Sequence, residues 1–457
     1  MKLSAFYAML LGTSLLSLQT NAQTKAPAAA KAPAAAQGKI RFTEYDLPNG
    51  LHVILHEDHA TPIVTVSVMY HVGSKNEDPQ RTGFAHFFEH LLFEGSENIG
   101  RGEFMKLLQS NGAQFNANTN QDRTYYFETL PSNQLELGLW MESERMLHAK
   151  IDDVGVETQR KVVKEEKKQS YDNRPYGQLL NAIYTNAYTK HPYRWTPIGK
   201  EQYIDAATLD EFMNFYKTFY VPNNAVLVIA GDINEAQTKE MISKYFATIP
   251  KGTKDIPRPT EVEPAQTAEK RVNFYDNVQL PAVLLCYHIP KVGGEDYYAL
   301  QLLTQLLMQG KSSAFQKNIV DKEQKALAVF PIPLVNEDAG IIPMCAIANM
   351  GVKPEELEKA MDAEIAKVTS APISDNDYKK LMNQAENDFI SQNSRGAGIA
   401  ENLATNYTYF HNANLINTEL ERYTKVTKEE LLRVAKKYFV KENRLVVYYL
   451  PKSEEKK

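Results

Sequence analysis

The sequence predicts an α+β protein made of two related halves, each with a mixed or antiparallel sheet flanked by helices. Three observations carry this. Residues 208–226 (TLDEFMNFYKTFYVPNNAV) and 427–445 (TKEELLRVAKKYFVKENRL) repeat the same design 219 residues apart with no gap. Strand-like and helix-like runs do not alternate simply, which disfavours a doubly wound parallel sheet. A Pro/Lys/Thr-rich stretch at 250–267 (PKGTKDIPRPTEVEPAQT) offers a linker between the halves.

Each copy of the repeat opens with a threonine suited to an N-cap, followed by acidic residues in the first turn. An amphipathic helix follows and ends in an aromatic pair, Phe219-Tyr220 or Tyr438-Phe439. An asparagine, Asn224 or Asn443, then leads into an apolar strand. A weaker match relates Pro62 to Val72 with Pro281 to Ile289. The helices after these strands, 85–95 and 300–310, share apolar positions, but Gln301, Thr304 and Gln305 stand opposite His86, Glu89 and His90. Other strand-like runs are 51–56 and 124–130. Further helical patterns cover 102–111, 132–148, 155–170 and 354–369.

At 457 residues the chain is too long for one small core. The expected domains are 39–255 and 265–452. Ahead of them, Lys2, the short apolar run Phe6 to Leu18 and the small-residue site Thr20-Asn21-Ala22 read as an export signal over 1–22. Residues 23–38 are an Ala/Pro-rich linker. Export, most simply to a bacterial periplasm, is therefore expected, with no stable membrane span. The net charge of −5 argues against nucleic acid as a partner. Cys286 and Cys345 both lie in apolar strand-like runs, where either a disulfide or two buried thiols would fit.

His86-Phe87-Phe88-Glu89-His90 is the segment that carries chemistry. On a helix, positions i and i+4 share a face, so both imidazoles can reach one Zn²⁺. Glu89 points nearly the same way and is suited to act as general base toward a metal-activated water. Phe87, Phe88, Leu91 and Leu92 can bury the rest of the helix. The spacing is the inverse of His-Glu-x-x-His, the inverzincin pattern. His52, His56 and His59 form no comparable helical pair.

The surroundings of this motif resemble the pitrilysin/insulysin metallopeptidases, and within them the half-length branch that includes mitochondrial processing peptidase and bacterial periplasmic members. The resemblance spans nearly all of 40–450. It rests on Leu47-Pro48-Asn49-Gly50-Leu51, Tyr70-His71-Val72-Gly73-Ser74, the run Gly83 to Gly95, Asn116-Ala117 with Thr124-Tyr125-Tyr126, Asn173-Arg174-Pro175-Tyr176-Gly177, and Phe219 to Asn224. It implies two homologous domains facing each other across a chamber, and a zinc-dependent peptidase, with one Zn²⁺ per chain, acting on extended peptides.

The resemblance further implies a third ligand about 75 residues after His90. Alignment of Arg160-Lys161-Val162-Val163-Lys164-Glu165-Glu166 selects Glu166, with Glu165 as the fallback. It implies peptide binding at Asn116 and Ala117. Many relatives carry a second glutamate where this chain has Gln159. An Arg/Tyr pair that donates to the oxyanion in full-length relatives falls here on Lys322 and Val329, and valine cannot donate a hydrogen bond. The expected partner is therefore a related subunit that supplies the pair in a heterodimer. The competing expectation is a non-catalytic binding or assembly subunit of a related peptidase complex.

Overall fold

In the computed structural model, residues 39–332, 334 and 336–455 are described. The expected export signal and linker lie outside them. Eleven strands form two sheets. The first uses β1 (Thr43–Asp46), β2 (His52–Glu57), β3 (Ile63–Tyr70), β4 (Gln114–Thr119), β5 (Thr124–Pro131) and β6 (Ala225–Gly231), in the order β1-β2-β6-β3-β5-β4. The second uses β7 (Lys270–Asp276), β8 (Ala282–His288), β9 (Ala326–Pro331), β10 (Ile341–Ala348) and β11 (Arg444–Pro451), in the order β7-β11-β8-β10-β9. Without β1 the two orders are the same. Each sheet has one parallel pair, β2 with β6 or β7 with β11, and is otherwise antiparallel. The α+β expectation of two homologous halves holds.

The repeat that announced this symmetry is a helix leading into a central strand. Helix Leu209–Phe219 enters β6 and helix Lys428–Tyr438 enters β11. Thr208 and Thr427 are the N-caps, each accepting from the backbone N–H of the glutamate three residues on. Asn224 and Asn443 act alike at the other end, each donating to the carbonyl five residues earlier, of Phe219 and Tyr438.

The central strands are buried on both faces, which explains their continuous apolar runs. On the first sheet, Val64, Val66, Val68, Leu227 and Ile229 face the core that contains helix Phe84–Leu91. The opposite face, with Ile54, Met69, Val226 and Val228, is covered by Ile399, Ala400, Leu403 and Ala404 of helix Gly396–Phe410. That helix comes from the second half of the chain. The second sheet borrows in return. Leu284, Cys286, Leu445 and Val447 are covered by Leu179, Ala182, Ile183 and Tyr184 of helix Leu179–Ala187, from the first half. Cys286 and Cys345 lie in this core as buried free thiols, and burial pushes both well above the usual thiol range.

A buried ionic cluster adds a polar tie between the halves. Lys75 is 4% exposed, and its Nζ lies 2.8 Å from Asp122, 2.6 Å from Glu337 and 3.1 Å from Asp338. His71 Nε2 stands 2.8 Å from Glu337, and His191 Nε2 is 3.4 Å from Asp338. The backbone N–H of Glu337 donates to Asp122 at 3.0 Å, and that of Asp338 to the Tyr193 hydroxyl at 3.0 Å. The 336–338 segment of the second half is thus fastened to the β4–β5 turn of the first.

Removing Lys75 would leave buried carboxylates uncompensated. Lys75→Met should cost about 3–5 kcal/mol, measured as a lowered midpoint in urea. The His191 hydrogen bond and the Lys75 charge hold the Asp338 carboxyl at about 2 against an ordinary 3.8. A depressed carboxyl stabilises above its unfolded value and loses that contribution as pH falls through the folded one. The acid limb of the stability curve between pH 4 and 2 should therefore flatten in Asp338→Asn.

Candidate metal centre

Helix Phe84–Leu91 is held from both ends and from its buried side. Phe84 and Phe87 stack on Phe212, each with centroids 4.7 Å apart, and Phe88 stacks on Phe215 at 5.5 Å. At the N-terminus Gly83 has φ +101°, a conformation that favours glycine, and its backbone passes against Gly199. Gly83 has no side chain to cap with, and Glu77 does that work. Its carboxylate accepts from the N–H of Gly83 at 2.9 Å and of Ala85 at 2.8 Å. At the other end the fully buried Arg145 donates to the Leu92 carbonyl at 2.9 Å and pairs with Glu142 at 2.9 Å. Its guanidinium also lies over the rings of Phe93, Phe104 and Tyr126. The Tyr126 hydroxyl donates to the Phe88 carbonyl at 3.0 Å.

With its apolar side buried, the helix presents His86, Glu89 and His90 on its half-exposed side. Helix Asp153–Lys167 runs beside it, capped by Asp152, and brings Glu166 to the two rings. One ligand atom from each of His86, His90 and Glu166 falls within 4.8 Å of the others. Glu166 lies 3.0 Å from His90 Nε2 and 3.7 Å from His86 Nε2. Glu165 is exposed and accepts from Gln169 at 2.6 Å, so the pair separates as helical geometry requires.

Burial, with help from His90, pushes the His86 imidazole down to about 4, which keeps it neutral and able to bind a metal. Burial would raise Glu166, but the hydrogen bond to His90 and the two nearby rings hold it below the usual glutamate range. Glu89 is lifted by burial and by Glu166, against the pull of the Thr119 hydroxyl and His90. His86 Nδ1 is buried without a hydrogen-bond partner, and Glu166 Oε2 is buried with His90 Nε2 beside it at 3.0 Å. Two imidazoles and one carboxylate, converging within 4.8 Å, fit a divalent cation such as Zn²⁺.

The remaining expected residues are spread around this centre. Asn116 is exposed and Ala117 buried on β4, the edge strand of the first sheet, which lies alongside the motif helix. Gln159 is 9% exposed, and its amide donates to Glu94, which Arg101 also binds. A glutamate at 159 would set a second carboxylate against Glu94, and the amide avoids that repulsion. Val329 lies half-buried on β9 against the second core, and Lys322 is exposed at the end of the preceding helical turn.

Sequence reasoning missed Glu77, Arg145, Thr119 and Tyr171. Tyr171 lines a cleft of about 470 Å³ beside Glu166, together with Arg174, Leu180, Phe330 and Ile332. Burial and the nearby Glu166 and Glu89 raise its hydroxyl. The Asn173 to Gly177 run two residues on was the available signal for this cleft.

Comparison with known proteins identifies the family. Residues 52–199 match the insulinase (peptidase family M16) model, and residues 206–385 match that of the peptidase M16 inactive domain. The chain is 32% identical over 408 residues to the zinc protease PqqE of Helicobacter pylori, covering 89% of this chain and 92% of that protein. The chain belongs to the insulinase (peptidase M16) family. The match to the inactive domain falls on the part without the His/Glu/His motif. A probable mitochondrial-processing peptidase subunit beta of Arabidopsis thaliana is 22% identical, over 86% of this chain and 75% of that one. The crystal structure of a protease from Helicobacter pylori superposes with a TM-score of 0.86 at 31% identity, covering 90% of this chain and all of that one (100%). The periplasmic protease PqqL of Escherichia coli shares the fold at a TM-score of 0.73 and 20% identity, over 91% of this chain and 48% of that chain.

Glu77 sets the register of the motif helix through two buried amides. Glu77→Ala should destabilise the protein by about 1–3 kcal/mol in urea unfolding, and Glu77→Gln, which keeps an acceptor, should lose less.

Proposed function

We propose that this chain is a zinc-dependent endopeptidase or oligopeptidase subunit that hydrolyses extended peptides. The convergence of His86, His90 and Glu166 beside Glu89 carries the reading. His86, His90 and Glu166 would hold one Zn²⁺ per chain, leaving a fourth position open. When bound, the metal supplies Lewis-acid polarisation of a carbonyl and makes water more acidic. Glu89, lifted by its buried setting, takes a proton from the attacking water and returns it to the leaving amine. Among the described residues the side of β4 away from β5 pairs with no strand. An extended peptide can add there by backbone hydrogen bonds, with Asn116 and Ala117 beside it.

The oxyanion needs a donor that Val329 cannot give. A related subunit carrying an Arg/Tyr pair would complete the site in a heterodimer. The PqqL structure determined for its first half alone and the mitochondrial beta subunit are relatives whose names speak of halves and subunits. Two domains, 39–255 and 265–452, fit the two sheets. Export to the periplasm rests on the run Phe6 to Leu18 and the small residues after it. Among the described residues no helix is long and apolar enough to cross a membrane.

Glu89→Gln should keep zinc, by metal analysis, yet lose peptide hydrolysis by about 10²–10⁴-fold. Retained hydrolysis would refute the assigned base, and a wild-type chain that binds zinc but never cleaves peptides would favour an assembly subunit. Glu166→Gln should weaken zinc binding, while Glu165→Gln should leave it unchanged. Peptide turnover should rise when the related subunit is added to the purified chain; full turnover alone, at a rate the addition does not alter, would sink the heterodimer.

A further inference from the structure

The second half keeps the layout of the metal centre in another chemistry. Helix Tyr297–Met308 buries Leu302, Leu303, Leu306 and Leu307 and leaves Gln301, Thr304 and Gln305 half-exposed, as Phe84–Leu91 leaves His86, Glu89 and His90. Helix Asp375–Gln392 packs beside it as Asp153–Lys167 packs beside the motif helix. The N-caps of that pair are Ser374 and Asp152, each accepting from the backbone N–H three residues on. They are 222 residues apart (374 − 152), and the same step carries Glu166 to Asp388. Gln305 Nε2 donates to Asp388 at 2.9 Å, where His90 Nε2 faces Glu166 at 3.0 Å. The third-ligand position is therefore kept, but carboxamides stand where the imidazoles were, and they are poor zinc ligands.

The space around this pair is a built cavity. A hollow of about 280 Å³ at Gln305 and Asp388 shares Gln301, Gln392, Glu419 and Tyr423 with a second hollow of about 370 Å³. Among the described residues neither Asp388 nor Glu419 forms an ion pair. Arg422 is the nearby cation, and its guanidinium donates to the Tyr298 hydroxyl at 3.0 Å. Arg123 and Glu401, which also line the larger hollow, neutralise each other at 2.9 Å. Burial raises the Glu419 carboxyl and Arg422 only partly offsets this, so two acidic groups here share one guanidinium. The Tyr298 and Tyr423 rings meet edge to face, 4.8 Å apart, and supply an aromatic wall.

We propose that this cavity is a receptor for one cationic nitrogen group, an ammonium or guanidinium, carried by a free small cation or by the basic side chain of a peptide. Asp388 and Glu419 supply charge-assisted acceptors, the Gln301 and Gln392 amides supply neutral ones, and the tyrosines supply π faces. The combined volume is that of a small-molecule site.

Calorimetry on the zinc-loaded full chain with agmatine, and on the Glu89→Gln chain with pentapeptides bearing a central arginine or citrulline, tests this. Saturable binding is expected for at least one cationic probe. Glu419→Gln and Asp388→Asn should each weaken it by about tenfold or more, with circular dichroism confirming that the variants are folded. Agmatine binding would identify a free cation as sufficient, and binding of the arginine peptide alone would identify a peptide side chain. The proposal is overturned if neither cationic probe saturates, if both variants bind as the parent does, or if citrulline peptides bind as tightly as arginine peptides.

Discussion

Each sheet in this protein is covered on one face by a helix that the other half of the sequence supplies. Fully burying a leucine, isoleucine or valine side chain is worth about 1.5–3 kcal/mol, and each exchanged helix places two such residues, with alanines beside them, against the opposing sheet. An exposed pair such as Lys425 with Glu421 contributes about 0–1 kcal/mol by comparison. The exchange therefore holds the halves together, and the Lys75 cluster contributes specificity, because it fits only when 336–338 lies against the β4–β5 turn. The cleft at Tyr171 and the larger hollow at Arg123 and Glu401, each lined from both halves, follow from that docking.

The candidate metal centre depends on rigidity supplied from outside its three converging side chains. A short helix is marginal on its own. Here Glu77 satisfies its first amides, Arg145 one of its last carbonyls, and three phenylalanines lock its buried side. The histidines can then remain half-exposed without the helix fraying. The second half has the same scaffold with other side chains at the polar positions, so the fold supplies a template and the sequence chooses what it binds.

Much of this was legible in the sequence because the signals were local. The repeat at 208–226 and 427–445 encodes a capped helix feeding a central strand, and all of that information lies within one segment. The His86, Glu89 and His90 face follows from helical period alone, and Glu166 was selected by alignment where composition could not separate it from Glu165. Helices Leu179–Ala187, Asp375–Gln392 and Gly396–Phe410 were not anticipated. The first and last are apolar along one face because they cover a distant sheet, and no neighbouring residue announces that partner. Strands β1, β7 and β9 were missed for a related reason: edge strands draw their order from pairing more than from their own sequence. Glu77 and Arg145 look like ordinary charges until the helix ends they serve are placed.

The borrowed helix also sets a schedule for synthesis. The last strand of the first sheet ends at Gly231, but the helix that covers its far face is complete only at Phe410, about 180 residues later. At translation rates of about 5–20 residues per second, that face stays bare for roughly 10–35 s. During this interval the nascent chain shows an apolar sheet surface with no cover of its own, a surface open to non-native association until the second half emerges.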